Sequence, residues 1–183
     1  MFPRLGRWLL VASGLVACLA SAVAGAGPED DRKAFVAYYE ARFPDVPFEE
    51  YANGIYALDA DARAQWMAIE DFPPYEFSIE RGAEGWRTPL PDGTTLAACL
   101  GEDTPGIRPR FPRYDATFGG IVTLPVAINR CRETAGAQPL DFADASMIDL
   151  TAYLAYAARG RKIDTPIPPD EPGALEAYEA GKR

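Results

Sequence analysis

A pair of cysteines, Cys99 and Cys131, most constrains what this chain can form. They bracket a loop rich in proline, glycine and arginine, and a short helical pattern carries the second cysteine. Two cysteines in this setting can form a disulfide, bind a metal ion or attach a prosthetic group. Each option implies a different class of protein, so the rest of the sequence has to decide among them.

The 183-residue chain contains no histidine. This excludes a Ser-His-Asp triad, a histidine-ligated zinc or copper site and the C-x-x-C-H motif that attaches haem covalently. Two cysteines alone are too few for a zinc or iron–sulfur site. The net charge of −9 also disfavours binding to nucleic acid, because an acidic chain repels the phosphate backbone.

Residues 1–26 have the pattern of a secretory signal peptide. Arg4 and Arg7 precede an uncharged apolar run, and small-residue cleavage patterns end at Ala24 and Ala26. The pattern predicts export to the periplasm, with no stable membrane span after processing. Residues 15–18 also resemble a lipoprotein processing box, so a lipid anchor on Cys18 is the alternative.

Signal-peptide removal leaves Cys99 and Cys131 as the only cysteines. An even number of cysteines in an exported protein favours a disulfide. Closing a loop between residues 32 positions apart is worth about 3–4 kcal/mol on the chain-entropy estimate. Reduced thiols and a redox pair remain alternatives, although redox pairs are more typically spaced C-x-x-C.

Apolar residues at helical spacing predict a mainly α, loop-rich fold. Helices are expected at 28–43, 59–69, 123–134, 144–159 and 172–183. We expect a short extended segment at 75–80, a long irregular region at 82–93 with a turn at Pro91-Asp92-Gly93, and an extended, proline-rich stretch at 162–172.

The first predicted helix carries an aromatic stripe. Its members, Phe35, Tyr38, Tyr39 and Phe43, share one helical face, and such a stripe is usually part of a protein core. Asp30 or Asp31 is the expected cap of this helix, and Asp59 or Asp61 that of the second.

Three arginines, Arg108, Arg110 and Arg113, alternate with proline and phenylalanine inside the Cys99–Cys131 loop. Guanidinium groups on a stiff loop can hold an oxyanion or the carboxylates of a partner. The alternative is a solvated loop whose charge is balanced by nearby acidic residues, which are Glu102, Asp103 and Asp115.

A series of short motifs, in order along the chain, resembles the N-terminal domain of the sulfur-oxidation c-type cytochrome SoxA. The matching segments are 53–59, 65–66, 72–76, Gly82 with Gly85-Trp86, 92–99, 127–132, 152–153, 159–160 and 177–182. Together they cover nearly all of the chain after residue 26.

The resemblance implies a cytochrome c-like helical domain with long Pro/Gly-rich loops, stapled by one disulfide between Cys99 and Cys131. SoxA pairs with the cytochrome SoxX in the periplasm and acts as an L-cysteine S-thiosulfotransferase subunit, joining thiosulfate oxidatively to a cysteine of the carrier protein SoxYZ. In some members the N-terminal domain has lost its haem. The catalytic haem c belongs to the C-terminal domain of the family.

This sequence departs from the family because it has no haem-attachment motif and stops near where the second domain would begin. We therefore expect a signal peptide at 1–26, a haem-less cytochrome c-like domain at 27–162, and a linker with the start of a missing C-terminal domain at 163–183. No catalytic, cofactor-binding or metal-binding residue is assigned, and this chain alone is expected to be inactive. A binding or interaction module without a cofactor is the alternative function.

Overall fold

The structure, a computed structural model, describes residues 27–101 and 103–183. The predicted signal peptide and Cys18 lie outside these residues. The described residues form eight α-helices: α1 Pro28–Arg42, α2 Ala60–Glu70, α3 Glu76–Arg87, α4 Leu96–Leu100, α5 Thr104–Ile107, α6 Leu124–Thr134, α7 Ala145–Ala157 and α8 Pro172–Gly181. Two 3₁₀ segments, Phe48–Ala57 and Arg108–Arg110, interrupt this order. The mainly helical fold class is thus confirmed.

A small hairpin, which we did not predict, lies within the Cys99–Cys131 loop. Strand β1 (Arg113–Asp115) pairs antiparallel with β2 (Gly120–Val122), with Tyr114 opposite Ile121. The backbone amides of residues 117 and 118 donate to the Asp115 carboxylate, which closes the turn. Helix α8 lies against this hairpin.

The core is formed by residues from α3 onwards. Trp86 of α3, Ile128 of α6, and Met147 and Leu154 of α7 are almost completely buried in one apolar cluster, which also includes Cys131. Helices α3 and α7 make the most extensive contact between elements. This pair is therefore the centre of the fold.

Our prediction of an extended segment at 75–80 and an irregular region at 82–93 was wrong for most of its length, because α3 occupies Glu76–Arg87. The glycines that suggested a loop have a packing role instead. A Cβ atom on Gly82 would lie 2.0 Å from the Asp149 carbonyl oxygen of α7. Glycine here lets the two helix backbones approach closely, which outweighs its poor helix propensity. The predicted turn at residues 91–93 is present, with Gly93 at φ 86°.

The caps were predicted with mixed success. Asp59 caps α2, accepting hydrogen bonds from the backbone amides of Asp61 and Ala62. Helix α1 begins after Gly27 without a side-chain cap, so the prediction of Asp30 or Asp31 in that role was wrong. Asp31 instead accepts hydrogen bonds from Tyr178 (2.8 Å) and Lys182 (2.7 Å) of α8 and its C-terminal end.

The aromatic stripe of α1 is not core, contrary to our prediction. Helix α1 has no buried residue, and neither does the 3₁₀ segment Phe48–Ala57 or α2. Phe35, Tyr38 and Tyr39 are all exposed. The helical spacing was correct, but no element of the described chain covers the stripe.

Candidate functional site

The disulfide between Cys99 and Cys131 joins α4 to α6, with their Cα atoms 6.0 Å apart. Thr95 positions Cys99, because its hydroxyl accepts a hydrogen bond from the Ala98 amide and starts the short helix α4. Cys131 lies on the buried face of α6. The predicted staple is confirmed, and it closes the loop that contains α5 and the hairpin.

Buried side chains fill the interior beside the disulfide. Leu96 and Ile107 belong to the same apolar cluster as Cys131 and Trp86. The Trp86 indole Nε1 donates a hydrogen bond to the Thr104 hydroxyl at 3.2 Å, which ties α3 to the loop. This region is therefore packed core held by a covalent link.

The residues of the 127–132 motif hold neighbouring loops in place. The Asn129 amide donates to the Leu140 carbonyl and accepts from the Leu140 amide, both at 2.8 Å. The Arg130 guanidinium lies 3.8 Å from the Asp115 carboxylate and over the Phe118 ring, linking α6 to the hairpin. The motif thus organises the fold around Cys131.

The principal buried charge is the Asp149 carboxylate of α7. It accepts hydrogen bonds from Nε and Nη2 of Arg81, at 2.6 and 3.0 Å. The Arg81 guanidinium holds the pKa of Asp149 below its ordinary value, although burial acts in the opposite direction. The pair strengthens the crossing of α3 and α7, and sequence reasoning missed it because the two residues are 68 positions apart.

A second polar cluster joins the end of α7 to α2. Tyr75 donates a hydrogen bond to the Glu70 carboxylate, and Arg159 contacts both Glu70 (2.9 Å) and the Tyr75 hydroxyl. The hydrogen bond to Glu70 raises the pKa of Tyr75. Tyr75 and Arg159 belong to the motifs that carried the resemblance, and both have structural contacts here.

The three arginines predicted to contact an anion or a partner lie on the 3₁₀ turn and on β1. Arg108 donates to the Phe111 carbonyl at 3.3 Å, and Arg110 donates to the Gly106 carbonyl at 3.0 Å. The Arg113 guanidinium lies over the Phe111 ring, 5.1 Å from its centroid. Two of the three groups therefore already bind backbone carbonyls, and anion binding by the cluster stays a prediction.

The residues of this chain do not fit covalent attachment of the haem that a cytochrome c fold implies. The chain has no histidine to serve as an axial ligand, and Cys99 and Cys131 are bonded to each other. Within residues 27–101 and 103–183, no group of three or more Cys, Asp or Glu side chains is positioned to hold a metal ion. No chemical step of this chain is assigned to haem.

Comparison with known proteins identifies the class of this fold. Residues 81–163 match the family model described as SoxA/TsdA, cytochrome c domain. The structure is similar to SoxXA from P. pantotrophus, with a TM-score of 0.50 and 24% identity, over 60% of this chain and 42% of that chain. The fold is therefore that of a cytochrome c domain.

Curated relatives narrow the identification. The chain is 46% identical over 161 residues to the L-cysteine S-thiosulfotransferase subunit SoxA of Allochromatium vinosum, covering 88% of this chain and 57% of the relative. It is 38% identical over 153 residues to the subunit of the same name from Chlorobaculum tepidum, covering 84% and 52%. The chain is therefore similar to SoxA subunits over most of its length. It spans about half the length of these relatives.

The similarity to the relatives includes part of the amino-terminal region. An alignment of 161 residues is too long to fit within residues 81–183, so it includes residues before α3. The match to the cytochrome c domain model, in contrast, begins at residue 81. The similarity to the A. vinosum relative therefore extends beyond the segment that matches the cytochrome c domain model.

Among the residues described by the structure, no helix is both long and apolar enough to cross a membrane. Sequence reasoning also missed that the aromatic face of α1 is exposed. Its periodicity was visible in the sequence, but periodicity alone does not distinguish a face that is covered from one that is exposed.

Proposed function

We propose that the chain acts as a SoxA-type subunit of a periplasmic thiosulfate-oxidising system, in which its described region is a haem-free scaffold and docking domain. The observation that carries this proposal is the 46% identity to the A. vinosum SoxA subunit over 88% of the chain. The cytochrome c fold with an internal disulfide supports it.

The proposal includes that this chain carries no haem, because the chain lacks the side chains that attach haem and bind its iron. Covalent attachment requires cysteine and histidine side chains. The chain has no histidine, and the two cysteines of the described residues form a disulfide that joins elements of the packed core. In a SoxA-type subunit, haem c would supply electron transfer from a domain other than this one.

The partners proposed from the resemblance are a SoxX-type cytochrome c and a SoxYZ-type carrier protein. The system couples thiosulfate oxidatively to a cysteine of the carrier. Without haem in this chain, we expect its role to be assembly and positioning, and we expect the chain alone to be inactive. The structural similarity to SoxXA from P. pantotrophus supports the choice of the first partner.

Periplasmic location is proposed from the signal-peptide pattern at residues 1–26, and disulfides persist in that compartment. Mass spectrometry of the mature chain tests the location and its alternative together. A terminus near residue 25 or 27 is expected. A lipid on Cys18 would show the lipoprotein alternative to be correct.

Calorimetric titration of the purified chain with a SoxX-type cytochrome c tests the assembly proposal. A c-type cytochrome of matched net charge from an unrelated pathway is the control. We expect at least about tenfold tighter binding of the SoxX-type protein, which corresponds to about 1.4 kcal/mol. Equal binding of the two cytochromes would contradict the proposal.

Two further measurements test whether this chain carries haem and whether it is active alone. The absorption spectrum of the chain should lack a covalent haem band, and the chain alone should not add thiosulfate to a carrier cysteine. A haem band that survives denaturation, or thiosulfate transfer by the chain alone, would overturn the haem-free role.

A further inference from the structure

An apolar groove lies between α1 and the 3₁₀ segment Phe48–Ala57, outside the part of the chain that matches the cytochrome c domain model. Its volume is about 400 Å³, and it is open to solvent. Aromatic and aliphatic side chains form its walls; the main ones are Phe35, Tyr39, Phe43, Phe48, Tyr51 and Leu58. We call this surface the aromatic groove.

Contacts between rings hold the groove in shape. Tyr39 stacks with Phe43 at 6.4 Å between ring centroids and meets the Tyr51 ring edge-on at 6.5 Å. Phe48 also packs edge-on against Tyr51, at 5.6 Å. These contacts still leave apolar surface open to solvent, since Phe48 is 50% exposed and Phe35 is 66% exposed. Contiguous exposed apolar surface of this kind marks interaction sites.

Helix α1 is also held near its N-terminal end by contacts with α8. The Asp31 carboxylate accepts hydrogen bonds from Lys182 and Tyr178, at the end of α8. These hydrogen bonds hold the pKa of Asp31 below its ordinary value, and the bond from Lys182 has the largest effect. One wall of the groove is thus tied to the end of the described chain, which favours a preformed site.

The wall of the groove contains the hydroxyl group of Tyr51. Its oxygen is buried and has no hydrogen-bond partner among the described residues. A buried polar atom without a partner is costly, and native structures generally satisfy such atoms.

The charge around the groove indicates which occupant fits. Residues 34–58 contain four acidic residues and one basic residue. Glu40, Asp45 and Glu49 are exposed and adjoin lining residues in sequence, while the one base, Arg42, lies over the Phe43 ring. A second copy of this acidic chain, or an anionic membrane, would bring negative charge against negative charge.

We propose that the aromatic groove docks an amphipathic segment of a partner protein that inserts apolar side chains and carries Lys or Arg on either side. The apolar side chains would occupy the groove between α1 and the 3₁₀ segment, and the bases would face Glu40 and Glu49. The proposal goes beyond the SoxA-type role and does not depend on which protein supplies the segment.

Fluorescence anisotropy with a labelled helical peptide tests the proposal on the full chain. The probe has a leucine face flanked by lysines, and a matched peptide carries glutamate in place of each lysine. We expect the lysine peptide to bind and the glutamate peptide to bind at least about tenfold more weakly. No binding of the lysine peptide, or equal binding of the two peptides, would overturn the proposal.

Matched variants separate the groove from a general attraction to an acidic protein. Phe35→Ser combined with Phe48→Ser should weaken binding of the lysine peptide about tenfold, because buried aromatic anchors dominate such interfaces. Phe142→Ser is the control, since Phe142 is 62% exposed and does not line the groove. An equal loss in the control variant would contradict the proposal.

Reversing the charge of acidic residues beside the aromatic groove tests which occupant binds there. Glu40→Lys with Glu49→Lys should reverse the preference, so that the glutamate peptide binds better than the lysine peptide. Sedimentation and flotation with anionic phospholipid vesicles cover the other occupants. A dimer, or vesicle binding, that Phe35→Ser abolishes would show that a second copy or a membrane occupies the groove instead.

Discussion

Helices α1 and α3 both carry large aromatic residues, yet Phe35 of α1 and Trp86 of α3 have opposite environments. Trp86 of α3 is 1% exposed, whereas Phe35 of α1 is 66% exposed. Helix α3 crosses α7 closely at Gly82, and α1 has no such partner among the described residues. The comparison shows that the periodicity of apolar residues identifies an apolar face of a helix. Tertiary contacts decide whether that face becomes core or stays exposed.

The same contrast separates two regions of the chain. The region before Gly82 contains no buried residue among those described, and the cytochrome c-like region that follows contains the whole apolar cluster. We therefore attribute the stability of the fold to the second region, and propose the first as the docking surface. Substitutions in the two regions test this division.

The largest expected effect is loss of the disulfide. Cys131→Ser should lower the free energy of unfolding by about 3–4 kcal/mol, because the unfolded chain regains the entropy of the loop. Urea unfolding under oxidising conditions measures the change. The wild-type chain with a reducing agent is the control and should lose a similar amount. Equal stabilities of variant and wild type would show that the staple contributes nothing.

The next largest loss of stability is expected from a substitution where α3 and α7 cross. In Gly82→Ala the new methyl group would collide with the Asp149 carbonyl, so we expect a loss of about 2–3 kcal/mol from forced separation of the helices. Gly85→Ala on the same helix is the matched control, since its Cβ would lie 3.4 Å from Leu150, an ordinary contact. Thermal unfolding of both variants should separate them. Similar losses at the two glycines would argue against the close crossing.

A smaller effect is expected from the Arg81–Asp149 pair. Arg81→Gln should lower the free energy of unfolding at neutral pH by less than Gly82→Ala does, because the Arg81 side chain is 58% exposed and water screens the pair. Arg87→Gln on the exposed side of α3 is the control, with a change of less than about 0.5 kcal/mol.

The pH dependence of this variant follows from the pKa of Asp149. Because Arg81 lowers that pKa in the folded state, its stabilisation is complete above the ordinary value of 3.8 and is lost as the pH falls below it. The difference between wild type and Arg81→Gln should therefore shrink in urea titrations at decreasing pH. A difference that grows on acidification would contradict the assigned ion pair.

The smallest effect is expected in the aromatic groove. Phe35→Ser should change the free energy of unfolding by less than about 0.5 kcal/mol, since it replaces an exposed side chain. A loss of about 3 kcal/mol, as for a core phenylalanine, would show that this face of α1 is buried in solution. Chemical denaturation of the monomeric chain distinguishes the two results.

The sequence predicted the elements whose signals are local. Pro125 in the first turn and Gly136 after the last turn delimit α6, and Asp144 and Gly160 do the same for α7. The disulfide was favoured by the even count of cysteines left after the predicted signal peptide, and it is present.

The features that were missed depend on contacts between distant residues. Gly82 has the same local signal whether it ends a helix or allows a helix to approach another. Residues 82–93, which include the second half of α3, were therefore predicted to be irregular. The partners Arg81 and Asp149 are far apart in sequence. The aromatic groove forms between two segments whose individual patterns do not show that they remain uncovered.

Native-state hydrogen exchange tests the division of the chain most directly. Amides of α3, α6 and α7 should exchange only through global unfolding, and those of α1 and the 3₁₀ segment Phe48–Ala57 through a smaller opening of lower free energy. The lysine peptide should slow exchange in α1 and the 3₁₀ segment alone. Protection of α1 equal to that of α7 in the free chain would contradict the division into a stable core and a docking surface.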